Sequence, residues 1–389
     1  MRAVGVIVEF NPFHTGHDTH LRESVEISGR EKIVAAMSGN FVQRGEPAVC
    51  DKWRRTKMAL LAGVDIVIEL PVVYVVSGAD YFARGGVGIL HATGIVDALS
   101  FGSESGDLAA VVAAGRVLAE EPALYKESLR NGLGEGLSFA AARGGALEKC
   151  LTHIPEGLLC EPNNGLAIEY CKALHLLGSP MEVFTTHRTK GGSSATKIRK
   201  GFLKGESVEN FMPDFAHDIL TEAGQGREVA CLDDFSDILR YLVYNGDTEM
   251  GEGLHNRFRR FAGEHRLIRD LLGAVKTKRY TYTRLQRAVT RLLLGITETD
   301  MEYYENRGGP RYIRVLGFRR ESAGLLGEMT RKASLPVITH GAAVDEILGE
   351  GGAAAKMLAK DLEAGDIYRI ATGTKGGFRS ERGNGVVII

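Results

Sequence analysis

Paired cysteines, long apolar runs and a strong charge of either sign are all missing from this sequence, and each absence narrows what the chain can be. The five cysteines, Cys50, Cys150, Cys160, Cys171 and Cys231, share no spacing and contain no C-x-x-C. They support neither a disulfide framework nor a cysteine zinc site, and read as small buried hydrophobes in a reducing compartment. No apolar run reaches the roughly 18 residues that a membrane span needs, so no membrane partner is expected. The opening MRAVGVIVEFNP turns polar at Glu9 without a small-residue cleavage site, and reads as a first strand rather than a signal peptide. A soluble, cytoplasmic chain is expected. Lys plus Arg number 48 against 49 Asp plus Glu, so only local clustering of charge can speak for nucleic acid. Proline is scarce at 10 residues and glycine abundant at 49, which suits an α/β protein with many tight strand-to-helix turns. The hydrophobic fraction of 44% excludes wholesale disorder, and 389 residues suggest two domains.

Short apolar runs alternate with helical patterns through the first half. Val4 to Val8, Ile33 to Met37, Ile66 to Ile68, Ala98 to Phe101 and Met181 to Thr185 read as strands. Helices are expected from about His17 to Ile27 and from Asp51 to Leu61, with Asp51 as an N-cap. Unbroken runs such as Ile-Val-Ile suit strands covered on both faces, and the alternation predicts a doubly wound parallel sheet over residues 1–200. Residues 105–160, rich in Ala, Gly and Glu, read as a helical insertion. Residues 201–389 read as a second, mostly α-helical domain with strands at Tyr312 to Phe318 and Leu335 to Thr339. The glycine-rich tail from Gly373 is expected to be loose until its last apolar residues.

The segment GVIVEFNPFHTGHDTH carries the first chemical signal. A strand ends at Glu9 or Phe10, Asn11-Pro12 forces a turn, and H-x-G-H follows as a helix begins. A helix N-terminus offers unpaired N–H groups and a positive dipole end to phosphate. His14 and His17 could donate to phosphate oxygens where charge grows as pyrophosphate leaves, and Gly16 would let an adenine approach the backbone. The alternative is a metal site among His14, His17 and His20; His17 and His20 are spaced i, i+3 on a helix, but no third ligand of matching spacing follows that pair nearby. The second signal is GGSSATKIR, where Ser193, Ser194 and Thr196 open a helix as an anion site beside Lys197 and Arg199. Its plain alternative is a capped surface helix.

GVIVEFNPFHTGH with SSATKIR resembles the nucleotidylyltransferase superfamily, whose H-x-G-H and S-S-x-T-x-I-R motifs close over ATP. DKWRRTKMALLAGVDIVIELP, YFARGGVGIL, LSFGSESGD, LCEPNNGLAIEY, TTHRTKGG and, later, VKTKRYTYTRLQRAVTRLLLGI with YIRVLGF narrow it. The series is similar to the bacterial tRNA(Met) cytidine acetate ligase family over nearly the whole chain. The resemblance implies a nucleotidylyltransferase-like, Rossmann-like first domain. It also implies ATP-dependent ligation of acetate to the wobble cytidine of elongator tRNA(Met), through an acetyl-adenylate, giving N4-acetylcytidine in the anticodon. ATP would be a substrate, accompanied by Mg2+, with no tightly bound cofactor and no protein metal site. ATP would be bound by Ile7, Val8, Glu9, Phe10, Asn11, Pro12, Phe13, His14, Thr15, Gly16, His17, Asp18, Thr19 and His20, completed by Gly102, Asn163 and Arg188. Glu9 stands where small-molecule adenylyltransferases carry Thr or Ser, and would repel phosphate unless it faces away, caps the turn or helps hold magnesium.

Residues 255–291 are strongly basic. Leu285, Ala288, Val289, Leu292 and Leu293 form an apolar stripe at helical spacing, with Arg284, Arg287 and Arg291 on a neighbouring face. Lys278 and Arg279 lie beside Tyr280 and Tyr282, whose rings could take an unstacked base. This face is the expected tRNA-binding surface. Two other readings compete: a small-molecule nucleotidylyltransferase of cofactor metabolism, and a non-catalytic RNA-binding protein with a nucleotide fold.

Overall fold

Strand residues that alternate in side-chain direction but are apolar at every position must bury both faces, and this dictates the architecture. In the computed structural model, which describes residues 2–188, 194–245, 250, 253–277, 280–373 and 381–389, the strands are β1 (Ala3–Val8), β2 (Lys32–Ser38), β3 (Phe41–Val42), β4 (Glu46–Pro47), β5 (Ile66–Leu70), β6 (Val96–Ser103), β7 (Glu182–His187), β8 (Ile313–Phe318), β9 (Val337–Ile338) and β10 (Val387–Ile388). Eight of them make one sheet in the order β10-β8-β5-β2-β1-β6-β7, with β9 beside β8, while β3 and β4 form a separate hairpin. Ile33, Ala35 and Met37 of β2 enter one hydrophobic cluster, and Val34 and Ala36 the other. Helices Thr15–Ser28 and Lys52–Leu61 cover the first face. Helices Ala79–Ala92 and Pro162–Leu177 cover the second. Asp51 caps the helix Lys52–Leu61 as expected, accepting from Trp53 N at 2.9 Å and Arg54 N at 3.0 Å.

The expected boundary near residue 200 does not divide the sheet. β8, β9 and β10 all come from beyond it, and β8 runs antiparallel beside β5 while every other pairing in the sheet is parallel. A charge pair crosses this junction: Glu69 of β5 stands opposite Arg314 of β8, bonded at 2.9 Å. Lys52 reaches both Glu69 and Glu381 at 2.6 Å, so four buried charges compensate one another where the C-terminal segment meets the sheet. The last apolar residues of the tail form β10; residues 374–380 lie outside the described part. The 105–160 segment is helical, as Leu108–Glu120, Ala123–Gly134 and Phe139–Cys150. Between 201 and 310 the described elements are all helical.

Candidate nucleotide site

In this strand order the chain leaves β1 toward β2 on one side, and later returns to β6 on the other. The crevice at the carboxyl ends of β1 and β6 is therefore the topological switch point, where open α/β sheets bind ligands. The β1 loop is fixed there by buried polar bonds. The Arg55 guanidinium is fully buried and donates to the carbonyls of Glu9 (2.6 Å), Ser38 (3.1 Å), Cys50 (3.1 Å) and Gly39. Arg199 donates to Asn11 O at 2.7 Å and pairs with Glu46 at 2.5 Å. Asn11 Oδ1 accepts from Val49 N at 2.8 Å, and the Asn11-Pro12 peptide is cis. Glu9 turns away from the helix end: its Oε1 accepts from Gln43 N (2.6 Å) and Ser38 Oγ (3.2 Å), so it caps the β3–β4 turn. Burial raises its pKa, and the Gln43 and Ser38 hydrogen bonds offset part of that rise.

The two motif histidines cap their own helix. His14 is the N-cap of Thr15–Ser28; its Nδ1 accepts from Gly16 N at 3.0 Å, and His17 Nδ1 accepts from His14 N at 3.3 Å. This is a capping box made of imidazoles, which also stack at 3.7 Å between centroids and 27° between planes. A nitrogen that accepts from a backbone N–H carries no proton, so both rings keep theirs on Nε2. Burial pushes His14 down to about 4, helped by the Arg188 charge, and holds His17 well below the ordinary imidazole value. At neutral pH the pair thus offers two neutral Nε2–H donors. Phe10 and Phe13, both buried, pack against the His17 ring with centroids 5.1 and 5.7 Å away. A Cβ on Gly16 would meet His14 Cε1 at 2.9 Å, so this glycine is required by the imidazole cap, whatever it does for adenine. His20 Nδ1 bonds Thr186 Oγ1 at 2.8 Å, and burial takes its pKa to about 4.

Three residues far apart in sequence meet on the β6 side. Arg188 crosses Gly102, where an added Cβ would lie 2.8 Å from Arg188 Cδ, and Arg188 Nη1 donates to Asn163 Oδ1 at 2.9 Å. Asn163 Nδ2 donates to Glu104 Oε1 at 2.6 Å, and Glu104 Oε2 accepts from Asn164 N at 2.8 Å. Asn164 Oδ1 in turn accepts from the backbone N–H groups of Glu104 (2.9 Å) and Ser105 (3.1 Å). Burial lowers the pKa of His14, His17 and His20, and the Arg188 charge lowers all three further, so its guanidinium acts electrostatically on each of them.

Not every expected residue points into that crevice. Asp18 pairs with Arg22 at 2.7 Å, and Thr19 Oγ1 donates to Thr15 O at 3.1 Å, both within the helix. Val8, Phe10 and Phe13 are buried in the core, and Ile7 packs against the Gly86 backbone. Ser194 caps the helix Ala195–Leu203, accepting from Lys197 N at 3.2 Å, with Thr196 in its first turn; Ser193 lies outside the described residues. Arg199 is engaged by Asn11 and Glu46, and Lys197 Nζ lies 5.1 Å from the centroid of the Phe211 ring. Sequence reading missed Glu104, Asn164, Ser38, Gln43 and Arg55. The quoted FGSE and EPNNG segments held the first two, but nothing local to either segment pairs them.

On the basic face, Leu285, Val289 and Leu293 are buried as expected in the helix Tyr282–Leu294, with Thr281 as its N-cap. Arg284 is exposed, while Arg287 and Arg291 are half-buried. Burial lowers the Arg287 pKa, and the charges of Arg284 and Arg291 lower it further. Tyr280 is buried in the core, so its ring is no stacking platform, and Tyr282 is half-buried. Lys278 and Arg279 lie outside the described residues. This face adjoins the nucleotide loop through the β3–β4 hairpin: Thr290 Oγ1 donates to Gly45 O at 2.8 Å, while Gln43 N holds Glu9. Gly45, at φ +76°, lies so close to the helix that a Cβ would fall 2.3 Å from Arg287 N.

No group of three or more His, Cys, Asp or Glu side chains is arranged to hold a metal ion among the described residues, and no helix there is long and apolar enough to cross a membrane.

The family model described as HIGH Nucleotidyl Transferase matches residues 1–382. A tRNA(Met) cytidine acetate ligase of Thermoanaerobacter sp. is 42% identical over 95% of this chain and 96% of its own length. That of Acetivibrio thermocellus is 40% identical over 87% of this chain and 88% of its own. The crystal structure of Thermotoga maritima TmcAL bound with alpha-thio ATP superposes with a TM-score of 0.94 at 32% identity, covering 100% of this chain and 99% of that one. With its motif histidines at the switch point and its likeness running end to end, the chain belongs to the HIGH nucleotidyl transferases and, among them, to the tRNA(Met) cytidine acetate ligase family.

Proposed function

We propose that this chain is a ligase that uses ATP to join acetate to a cytidine of tRNA(Met), the activity its relatives are named for. The observation that carries the reading is the stacked, neutral His14–His17 pair facing the same crevice as Arg188. An acetate oxygen attacks the α-phosphorus of ATP, the bond to the bridging oxygen breaks, and pyrophosphate leaves, giving acetyl-adenylate. The Nε2–H groups donate to phosphate oxygens as negative charge grows on them, and Arg188 supplies the fixed positive charge. A neutral imidazole donates through Nε2–H without first taking up a proton, so the pair can act at neutral pH despite its lowered pKa. The N4 amine of the wobble cytidine in the elongator anticodon then attacks the acetyl carbonyl, and AMP leaves as the amine sheds a proton. No side chain becomes a covalent nucleophile; catalysis is positioning and charge stabilisation. Mg2+ would travel with the triphosphate and neutralise its charge, and no residue of this chain is assigned to it.

Within the expected ATP set, the backbone of the Glu9 to Gly16 loop and the His14, His17, Gly102, Asn163 and Arg188 positions carry the binding. His20, Asp18, Thr19 and the buried Phe10 and Phe13 shape the loop. Arg284, Arg287 and Arg291 form the RNA face, where mutual repulsion favours an incoming polyanion. Incubation with labelled acetate, ATP and bacterial tRNA, followed by nucleoside analysis, tests the reading. N4-acetylcytidine confined to tRNA(Met) is the expected product. Label transfer to a small phosphorylated precursor, or no transfer at all, would overturn it.

A further inference from the structure

The helix Pro162–Leu177 begins without a side-chain cap from its own N-cap residue, Glu161. Its first N–H groups are satisfied from another strand: Glu104, just beyond β6, accepts from Asn163 N (3.2 Å) and Asn164 N (2.8 Å). A carboxylate there also complements the helix dipole. Capping alone would use only those two bonds. Glu104 Oε1 makes a third, taking the side-chain Nδ2 of Asn163 at 2.6 Å. An amide has one donor end and one acceptor end, so whichever partner claims the donor decides where the acceptor points. With Nδ2 held by a carboxylate, Oδ1 must face the other way, and it meets Arg188 Nη1 at 2.9 Å. Arg188 makes no ion pair with a carboxylate among the described residues, so this amide oxygen and the bare backbone of Gly102 are what fix the guanidinium.

We infer that Glu104 is a positioning residue for nucleotide binding: through the polarity of the Asn163 amide it aims Arg188 at the phosphates. The arrangement leaves the guanidinium without a carboxylate partner among the described residues, while still holding its direction. A carboxylate in direct contact with Arg188 would hold it equally well but would neutralise the charge that ATP needs. The amide passes on the carboxylate's orienting effect without its charge.

The inference rests on the proposed nucleotide site and is tested by ATP affinity, measured by calorimetry without acetate or tRNA. Asn163→Asp puts two carboxylates in the place of a 2.6 Å hydrogen bond. It should weaken ATP binding at least about tenfold, and the loss should shrink as pH falls, because a shared proton restores a donor toward Glu104. Adding Glu104→Gln to that variant should tighten binding again by at least about threefold, since the introduced amide donates to the introduced carboxylate, but should stop short of the parent because that carboxylate still offsets the Arg188 charge. In the parent background the same Glu104→Gln change should not tighten binding. This reversal of sign is the signature of the relay. A residue that merely caps the helix would be harmful to replace in both backgrounds, and that result, with melting temperatures showing folded variants, would overturn the inference. So would parent-like ATP affinity of Asn163→Asp. A parent chain that binds no ATP would instead refute the nucleotide site itself.

Discussion

The nucleotide crevice and the arginine face handle polar groups in opposite ways. In the crevice, side chains pair reciprocally: His14 with His17 across one helix turn, Asn164 with Glu104 between a loop and a helix end. Each bond fixes a side-chain orientation before any ligand arrives, and the His14–His17 pair also fixes which ring nitrogen carries the proton. On the helix Tyr282–Leu294, Arg284, Arg287 and Arg291 push against one another, and burial adds to the cost at Arg287. The first region is preorganised for a small anion at one point. The second gathers three arginines on one helix, which suits a long polyanion whose exact register matters less. Preorganisation raises rate through transition-state charge, whereas clustered positive charge raises affinity in a salt-dependent way. The β3–β4 hairpin joins the two, held by Glu9 on one side and Thr290 on the other.

The contrast breaks most visibly at His17. Replacement by Ala removes one neutral donor, and acetate-dependent ATP–pyrophosphate exchange should fall about 10²–10³-fold with the fold intact by circular dichroism. Parent-like exchange would remove His17 from the chemistry. Replacing Arg284, Arg287 and Arg291 together by Gln should weaken tRNA binding on the order of 10²-fold and flatten its salt dependence, reducing the log–log slope by about 2–3. ATP affinity should stay at the parent value; a joint loss would mean that both ligands use these arginines. Gly16→Ala is subtler. Its Cβ would press on the His14 ring at 2.9 Å, and the displaced cap should cost about tenfold in exchange rate. An unaffected rate would show that the imidazole pair tolerates movement.

The smallest expected effect is on stability. His14 sits at about 4 in the folded chain against an ordinary value of 6.5, so the unfolded state takes up its proton first as pH falls. Its stabilising contribution is complete above about pH 6.5 and is lost as pH drops toward 4. His14→Asn keeps a cap without a titrating group. Urea midpoints at pH 7 and pH 5 should show the parent losing about 1–2 kcal/mol more than the variant. Equal losses would mean that the His14 ring is not held neutral.

Much of the sheet was legible because its strands announce themselves locally. Val4 to Val8 and Ile33 to Met37 are continuous apolar runs between turn signals, and each forms a parallel strand in the predicted place. The Asp51 cap was equally local. The insertion of β8 antiparallel beside β5 was not legible, because it is a long-range pairing in which Glu69 meets Arg314, 245 residues away. The same holds for the helix Lys52–Leu61, where sequence alone shows ordinary surface charges. Lys52 and Arg55 are instead buried against Glu69, Glu381 and loop carbonyls. At the candidate site, H-x-G-H opens the helix after β1 as its sequence suggests, and Gly102, Asn163 and Arg188 do meet. What the residues themselves could not tell was which side chains serve the ligand and which serve the loop. Tyr280 and Arg199 were expected at ligands and are occupied by the protein.

If the crevice is built in advance by its own capping bonds, activation of acetate needs no RNA. Exchange of labelled pyrophosphate into ATP, dependent on acetate and measured without tRNA, tests this most directly. The account predicts exchange in the parent, and its retention when Arg284, Arg287 and Arg291 are all replaced by Gln. Exchange that appears only when tRNA is added would contradict it, since the nucleotide site would then be completed by the RNA and not by the pairing of His14 with His17 and of Glu104 with Asn163.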